Sequence, residues 1–255
     1  VFERVTDTGR PLPAWVEEQG KAAGRTSYVG RGAAAAPRQY VEGVAGFRLL
    51  ELAVDTRVLI PRPETEGLVE RVLAWALARW GQGTWGSMLD LGTGSGCIAL
   101  SVAVEGRFAR VVATDVSGDA LTVARTNLTA VDPPLVPEFR QGWLFEPVAG
   151  ERFDVIVSNP PYIAEVEYAA LDPGVRDFEP PVALLSGPDG LRHTRAILGE
   201  ASAHLEPGGL VALEVDSRRA EESARIAREC GFGAARVERD VFGRPRFLLA
   251  GRGPA

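Results

Sequence analysis

From residue 64 onward the chain alternates between two kinds of apolar spacing. Leu68, Val69, Val72, Leu73, Ala76, Leu77 and Trp80 recur at intervals of three and four, which predicts a helix over residues 64–80 with one buried face. Beyond it, short apolar runs predict strands at 87–91, 110–114, 136–140, 153–158 and 210–215, while helical periodicity predicts helices at 97–105, 119–129, 191–205 and 219–230. Two further runs, 234–239 and 246–250, are separated only by residues 240–245, which suggests a closing antiparallel hairpin. Strands that alternate with helices imply an α/β fold with a mostly parallel sheet covered on both faces. Upstream, the runs 47–54 and 58–60 flank Asp55-Thr56-Arg57 and predict a β-hairpin that Pro61 and Pro63 terminate. The first 40 residues are punctuated by glycine and proline, and only 12–23 has room for a short helix. The resulting division is a reduced N-terminal segment (1–45), a β-hairpin linker (46–62) and a main domain (63–255).

Charge and composition narrow the classes of partner. Lys and Arg number 28 against 34 Asp and Glu, a net charge of −6, and 45% of the 255 residues are hydrophobic. Such an acidic chain lacks the basic surface that a phosphate backbone requires, so no direct DNA binding is expected. The longest mostly apolar run, 97–104, is far shorter than the roughly 18 residues of a membrane-spanning helix, so no membrane association is expected. An N-terminus charged from its third residue does not read as a signal peptide, and the expectation is a monomeric, cytoplasmic protein. Cys97 and Cys230 each sit within apolar stretches and read as core residues. With only His193 and His204 beside them, no metal site is expected.

Three constellations carry chemistry. In Leu89-Asp90-Leu91-Gly92-Thr93-Gly94-Ser95-Gly96 a strand runs into a glycine-rich turn and then a helix, so the backbone bends sharply and unpaired N–H groups face a ligand. The spacing is G-x-G-x-G, not the G-x-G-x-x-G of dinucleotide enzymes; a bland turn, a nicotinamide site and an S-adenosylmethionine site all remain open. Asp115 ends the next strand about 20 residues past the turn, where a carboxylate accepts hydrogen bonds from ribose hydroxyls or simply caps the helix that follows. Asp90 either faces a cationic ligand end or only holds the turn. The third is Ser158-Asn159-Pro160-Pro161-Tyr162. Two prolines stiffen the chain and remove two donors, so the Asn159 carboxamide and the neighbouring carbonyl can accept both hydrogens of an –NH₂ group while Tyr162 packs against its plane. A chance Pro-Pro loop is the alternative.

In chain order, the stretch Val58-Leu59-Ile60-Pro61-Arg62-Pro63-Glu64-Thr65-Glu66, the glycine turn, Asn159-Pro160-Pro161-Tyr162, Phe178-Glu179-Pro180 and Asp189-Gly190-Leu191 resemble the peptide chain release factor N5-glutamine methyltransferases, the HemK/PrmC family. The likeness runs from about Pro37 to Phe247. Asn-Pro-Pro-Tyr is shared with DNA adenine-amino methyltransferases, whereas Pro-Arg-Pro-Glu-Thr-Glu differs in the sister enzymes that modify a ribosomal-protein glutamine. The resemblance implies a Rossmann-like class I methyltransferase fold that uses S-adenosylmethionine. It implies donor contacts at Gly92, Thr93, Gly94, Ser95, Gly96, Asp115, Trp143 and Asn159, and substrate contacts at Asn159, Pro160, Pro161 and Tyr162, with Asn159, Pro160 and Tyr162 catalytic. Its substrate would be the glutamine of the Gly-Gly-Gln loop in peptide chain release factors. Another glutamine, an exocyclic adenine amine, or a non-catalytic binding module are the competing readings. By sequence alone Trp143 reads as core. The family carries a helical N-terminal domain, whereas some 40 irregular residues precede Gln39 here and Met88 is the sole methionine, so a reduced domain or a start further upstream is expected. The stretch Glu214-Val215-Asp216-Ser217-Arg218 replaces a more glycine-containing turn of the family, and the sequence offers no function for it.

Overall fold

A computed structural model describes residues 36–251. The predicted helix at 12–23 and most of the N-terminal segment lie outside the described residues. The short helix α1 (Arg38–Glu42) leads into a hairpin of β1 (Val44–Phe47) and β2 (Leu50–Ala53), followed by helix α2 (Pro63–Trp80). The remainder runs β3 (Trp85–Leu91), α3 (Cys97–Glu105), β4 (Phe108–Asp115), α4 (Gly118–Val131), β5 (Glu138–Gln141) and β6 (Phe153–Ser158). After a stretch of short turns containing α5 (Pro173–Arg176) come α6 (Arg192–His204), β7 (Leu205–Glu214), α7 (Ala220–Glu229), β8 (Ala234–Arg239) and β9 (Pro245–Gly251).

Seven strands form one sheet in the order β5-β4-β3-β6-β7-β9-β8. β3, β4, β5, β6 and β7 pair in parallel, and β9 pairs antiparallel with both β7 and β8. Side chains alternate between two cores, as a period of two demands. Leu89, Leu91 and Ile156 face α6 and α7 on one side, while Met88, Val155 and Val157 face α2 and α3 on the other. Phe47, Leu50 and Leu52 of the hairpin join the second core.

The hairpin differs from the predicted one. Its strands are 44–47 and 50–53, and its turn is Arg48-Leu49, with Arg48 at φ 51°. An arginine in the left-handed region carries no turn signal, and tertiary contacts stabilise it instead. Its N–H donates to Glu66 Oε1 at 3.0 Å, and its guanidinium holds both oxygens of Glu105 and the Glu66 carbonyl. Asp55-Thr56-Arg57 is a turn, closed by Val58 N–H donating to the Asp55 carbonyl, but residues 58–60 run on without a strand partner.

The chain goes from β3 outward to β5 and then returns to β6 and β7 on the other flank, so the strand order reverses between β3 and β6. Open parallel sheets bind ligands at such a reversal, beyond the carboxyl ends of the strands. Here those ends are Leu91 and Ser158, and the Ser158 hydroxyl donates to the Leu91 carbonyl at 2.6 Å. The glycine turn and the Asn-Pro-Pro-Tyr loop therefore start from one fixed point.

Candidate active site

The glycine turn is built for close approach. Gly92, Gly94 and Gly96 have φ of 71°, 57° and 83°, and a Cβ on Gly92 or Gly94 would meet no heavy atom within 4 Å, so both open onto free space. Gly92 and Thr93 N–H both donate to the Thr114 carbonyl, which ties the turn to β4. Thr93 Oγ1 donates to Asp90 Oδ2 at 2.6 Å, and both side chains are buried. Asp90 thus holds the turn, while its other oxygen, Oδ1, is buried without a partner. Burial pushes the Asp90 carboxyl up to about 7. Asp115 spans the turn from the next strand: Oδ2 accepts from Gly94 N–H and Oδ1 from Ser117 N–H, each at 2.9 Å. Burial raises its carboxyl as well.

An open cleft of about 770 Å³, its solvent-filled mouth included, lies over these groups. It brings together Gly92, Gly94, Asp115, Trp143, Asn159, Pro160 and Pro161 from the sequence reading. Thr93, Ser95 and Gly96 do not line it; they stand behind the turn, where the Ser95 carbonyl accepts from buried Asn127. Tyr162 lines a second cavity of about 440 Å³ together with Arg62, and Asn159 and Pro160 border both spaces. Trp143 is half-buried, and its ring lies 5.0 Å from that of His193 at 50°. His193 was missed by the sequence reading as anything beyond a non-metal histidine. Its backbone N–H donates to Ser186 Oγ, its Nδ1 lies 2.8 Å from the same hydroxyl, and burial pushes the imidazole down to about 4, so it is neutral at pH 7. A signal was available, because His193 follows Asp189-Gly190-Leu191 by two residues.

The other sequence motifs converge on the same loops. Arg62, from Pro61-Arg62-Pro63, forms an ion pair at 2.6 Å with Glu179, from Phe178-Glu179-Pro180, whose carboxylate is buried. Gly190 has φ 76°, and a Cβ there would stand 2.5 Å from the Tyr162 carbonyl oxygen, so glycine is required for the Asp-Gly-Leu turn to lie against the Asn-Pro-Pro-Tyr loop. Thr65 closes the set: Asn159 Nδ2 donates to Thr65 Oγ1 at 2.9 Å, and Thr65 Oγ1 donates to Glu214 Oε2 at 2.7 Å.

A parallel sheet with an antiparallel edge pair, a glycine turn at the strand reversal and an acidic residue at the end of the next strand together define a class I methyltransferase. The methyltransferase small domain family model matches residues 71–172. A methyltransferase from Pyrococcus furiosus has the same fold, with a TM-score of 0.57 and 21% identity over 79% of this chain and 88% of that one. The release factor glutamine methyltransferase of Cereibacter sphaeroides is 43% identical over 226 residues, 88% of this chain and 78% of that protein. That of Xylella fastidiosa strain Temecula1 is 43% identical over 218 residues, 86% of this chain and 77% of that protein. The chain belongs to the release factor glutamine methyltransferase family.

Among the described residues no helix is long and apolar enough to cross a membrane.

Proposed function

We propose that this protein transfers a methyl group from S-adenosylmethionine to the side-chain amide nitrogen of the glutamine in the Gly-Gly-Gln loop of class I release factors. The observation that carries the reading is the meeting of two cavities at Asn159 and Pro160. The cleft over the glycine turn fits the donor. Gly92 and Gly94 leave room against the backbone, Asp115 retains lone pairs for ribose hydroxyls beyond the two N–H groups it already accepts from, and the Trp143 ring, with neutral His193 tilted against it, offers an aromatic face for a base. The second, with Tyr162, admits a side chain from a partner.

An amide nitrogen is a weak nucleophile because its lone pair is delocalised into the carbonyl. Asn159 Oδ1 and the Pro160 carbonyl accept its two hydrogens, which fixes the nitrogen with its lone pair toward the donor cleft. Bound S-adenosylmethionine supplies the methyl on a sulfonium: the N–C bond forms from the amide lone pair as the C–S bond breaks, and sulfur keeps that electron pair. The alkylated nitrogen is acidic and releases its surplus proton to water, so no general base is needed. Orientation supplies the catalysis, a contribution of roughly 7–11 kcal/mol at best.

Residues 63–255 are read as the catalytic unit, acting as a monomer in the cytoplasm on a protein partner; the net charge of −6 supports a protein rather than DNA. The test is mass spectrometry of a release factor after incubation with the protein and S-adenosylmethionine. A gain of one methyl mapped to the loop glutamine is expected. An unmodified release factor alongside a methylated ribosomal-protein glutamine or DNA adenine would overturn the reading.

A further inference from the structure

Glu214 is almost fully buried at the carboxyl end of β7, and among the described residues no Arg, Lys or His nitrogen reaches it within ion-pair distance. Burial pushes its carboxyl up to about 7, while Arg246 and Arg62 act on it from beyond ion-pair distance and favour the carboxylate. Its hydrogen bond comes from Thr65 at the start of α2, 149 positions earlier in the chain. Thr65 is itself buried and touches Asn159.

A hydroxyl has one hydrogen. While Glu214 is ionised its carboxylate can only accept, so Thr65 spends that hydrogen on Oε2 and toward Asn159 its oxygen can only accept. Of the two ends of the Asn159 carboxamide, only Nδ2 is a donor. Glu214 therefore selects, through Thr65, the rotamer of Asn159 in which Nδ2 points inward and Oδ1 is left for the cavity side. The opposite rotamer would set Oδ1 against the hydroxyl oxygen, with no hydrogen between them.

We infer that Thr65 and Glu214 are positioning residues that hold the Asn159 carboxamide with its acceptor oxygen toward the substrate, and so make the site select a carboxamide over a carboxylate. The inference rests on the glutamine reading above. A glutamine –NH₂ meets an acceptor at Oδ1, whereas a glutamate carboxylate at the same place meets oxygen against oxygen. A carboxamide free to turn would also present Nδ2, which repels the –NH₂ and welcomes the carboxylate.

The test uses Thr65→Val, which keeps the shape and removes the hydroxyl, and Thr65→Ser, which restores it. Single-turnover methylation of a release factor, donor affinity and melting temperature are measured on each. Competition is also measured with a release factor whose loop glutamine is replaced by glutamate. Thr65→Val is expected to lower the single-turnover rate by about tenfold or more, with donor affinity unchanged, and to strengthen inhibition by the glutamate competitor relative to wild type. Thr65→Ser should return both toward wild type. Should Thr65→Val fail to fold, Glu214→Leu serves. It removes a buried carboxyl, an exchange that proteins often tolerate, and frees the Thr65 hydrogen to turn toward Asn159, so the same two readouts should move. An unchanged rate, or a loss that follows donor affinity or melting temperature with the glutamate competitor unaffected, would overturn the relay. A wild-type protein that leaves the release factor unmodified would instead overturn the substrate reading, and the relay with it.

Discussion

Asp115 and Asp90 are both acidic residues at strand ends beside the glycine turn, yet the structure gives them different work. Asp115 faces the cleft, and its carboxylate remains within reach of a bound nucleoside. Asp115→Ala should weaken S-adenosylmethionine by about tenfold or more, since charge-assisted hydrogen bonds contribute roughly 1.5–3 kcal/mol each; calorimetric titration giving wild-type affinity would mean that the ribose is held elsewhere. Asp90 is sealed beneath the turn, and its effect is on stability. With its carboxyl pushed up to about 7, the folded protein holds a proton there between about pH 4 and 7 that the unfolded chain has released. Unfolding free energy therefore falls as pH rises through that window, by up to about 1.4 kcal/mol per pH unit from this group. His193, lowered to about 4, acts with the opposite sign between about pH 4 and 6.5, since there the unfolded chain binds the extra proton. Asp90→Asn removes the first contribution alone, so urea titrations of the donor-free protein from pH 4 to 7 should show its stability rising more steeply with pH than that of wild type. Parallel curves would contradict the assignment.

Strands and helices past residue 63 were legible because each is long enough for its own period to show, and 97–105, 153–158 and 234–239 coincide with the predicted bounds. The hairpin was misplaced because its turn depends on Arg48 contacts to Glu66 and Glu105, 18 and 57 positions away, which leave no local mark. Asn127 is a second case. Read only as part of a helix, it is wholly buried, accepts from Ala53 N–H at 2.7 Å, and donates to the Ala53 and Ser95 carbonyls. Its carboxamide serves as a strand partner for the end of β2 and joins the hairpin to the back of the glycine turn. Replacing it with alanine leaves three buried backbone groups without that partner, and should cost about 2–4 kcal/mol in chemical denaturation. Donor affinity should fall in parallel, because the Ser95 carbonyl loses its tether. A loss below about 0.5 kcal/mol would show that water replaces the carboxamide.

Across the whole molecule, motifs scattered over some 130 residues meet at one end of the sheet, and their identities were readable long before their partners were. Pro-Arg-Pro-Glu-Thr-Glu carried the resemblance, but only the structure gives physical reasons for its residues: Arg62 holds Glu179, Glu64 accepts from Arg244, Thr65 links Asn159 to Glu214, and Glu66 supports the Arg48 turn. Glu214, which the sequence left without a function, acquires one through a contact that no spacing rule encodes. Of these contacts the one from Thr65 reaches Asn159, whose carboxamide orients the nucleophile and does not merely complete a loop. The measurement that tests this role most directly is single-turnover methyl transfer to a release factor by Asn159→Ala, with donor affinity and melting temperature recorded on the same protein. The rate is expected to fall by about a hundredfold or more while donor affinity changes by less than about tenfold and the protein stays folded. A near-normal rate, or a loss accounted for wholly by weaker donor binding or unfolding, would contradict it.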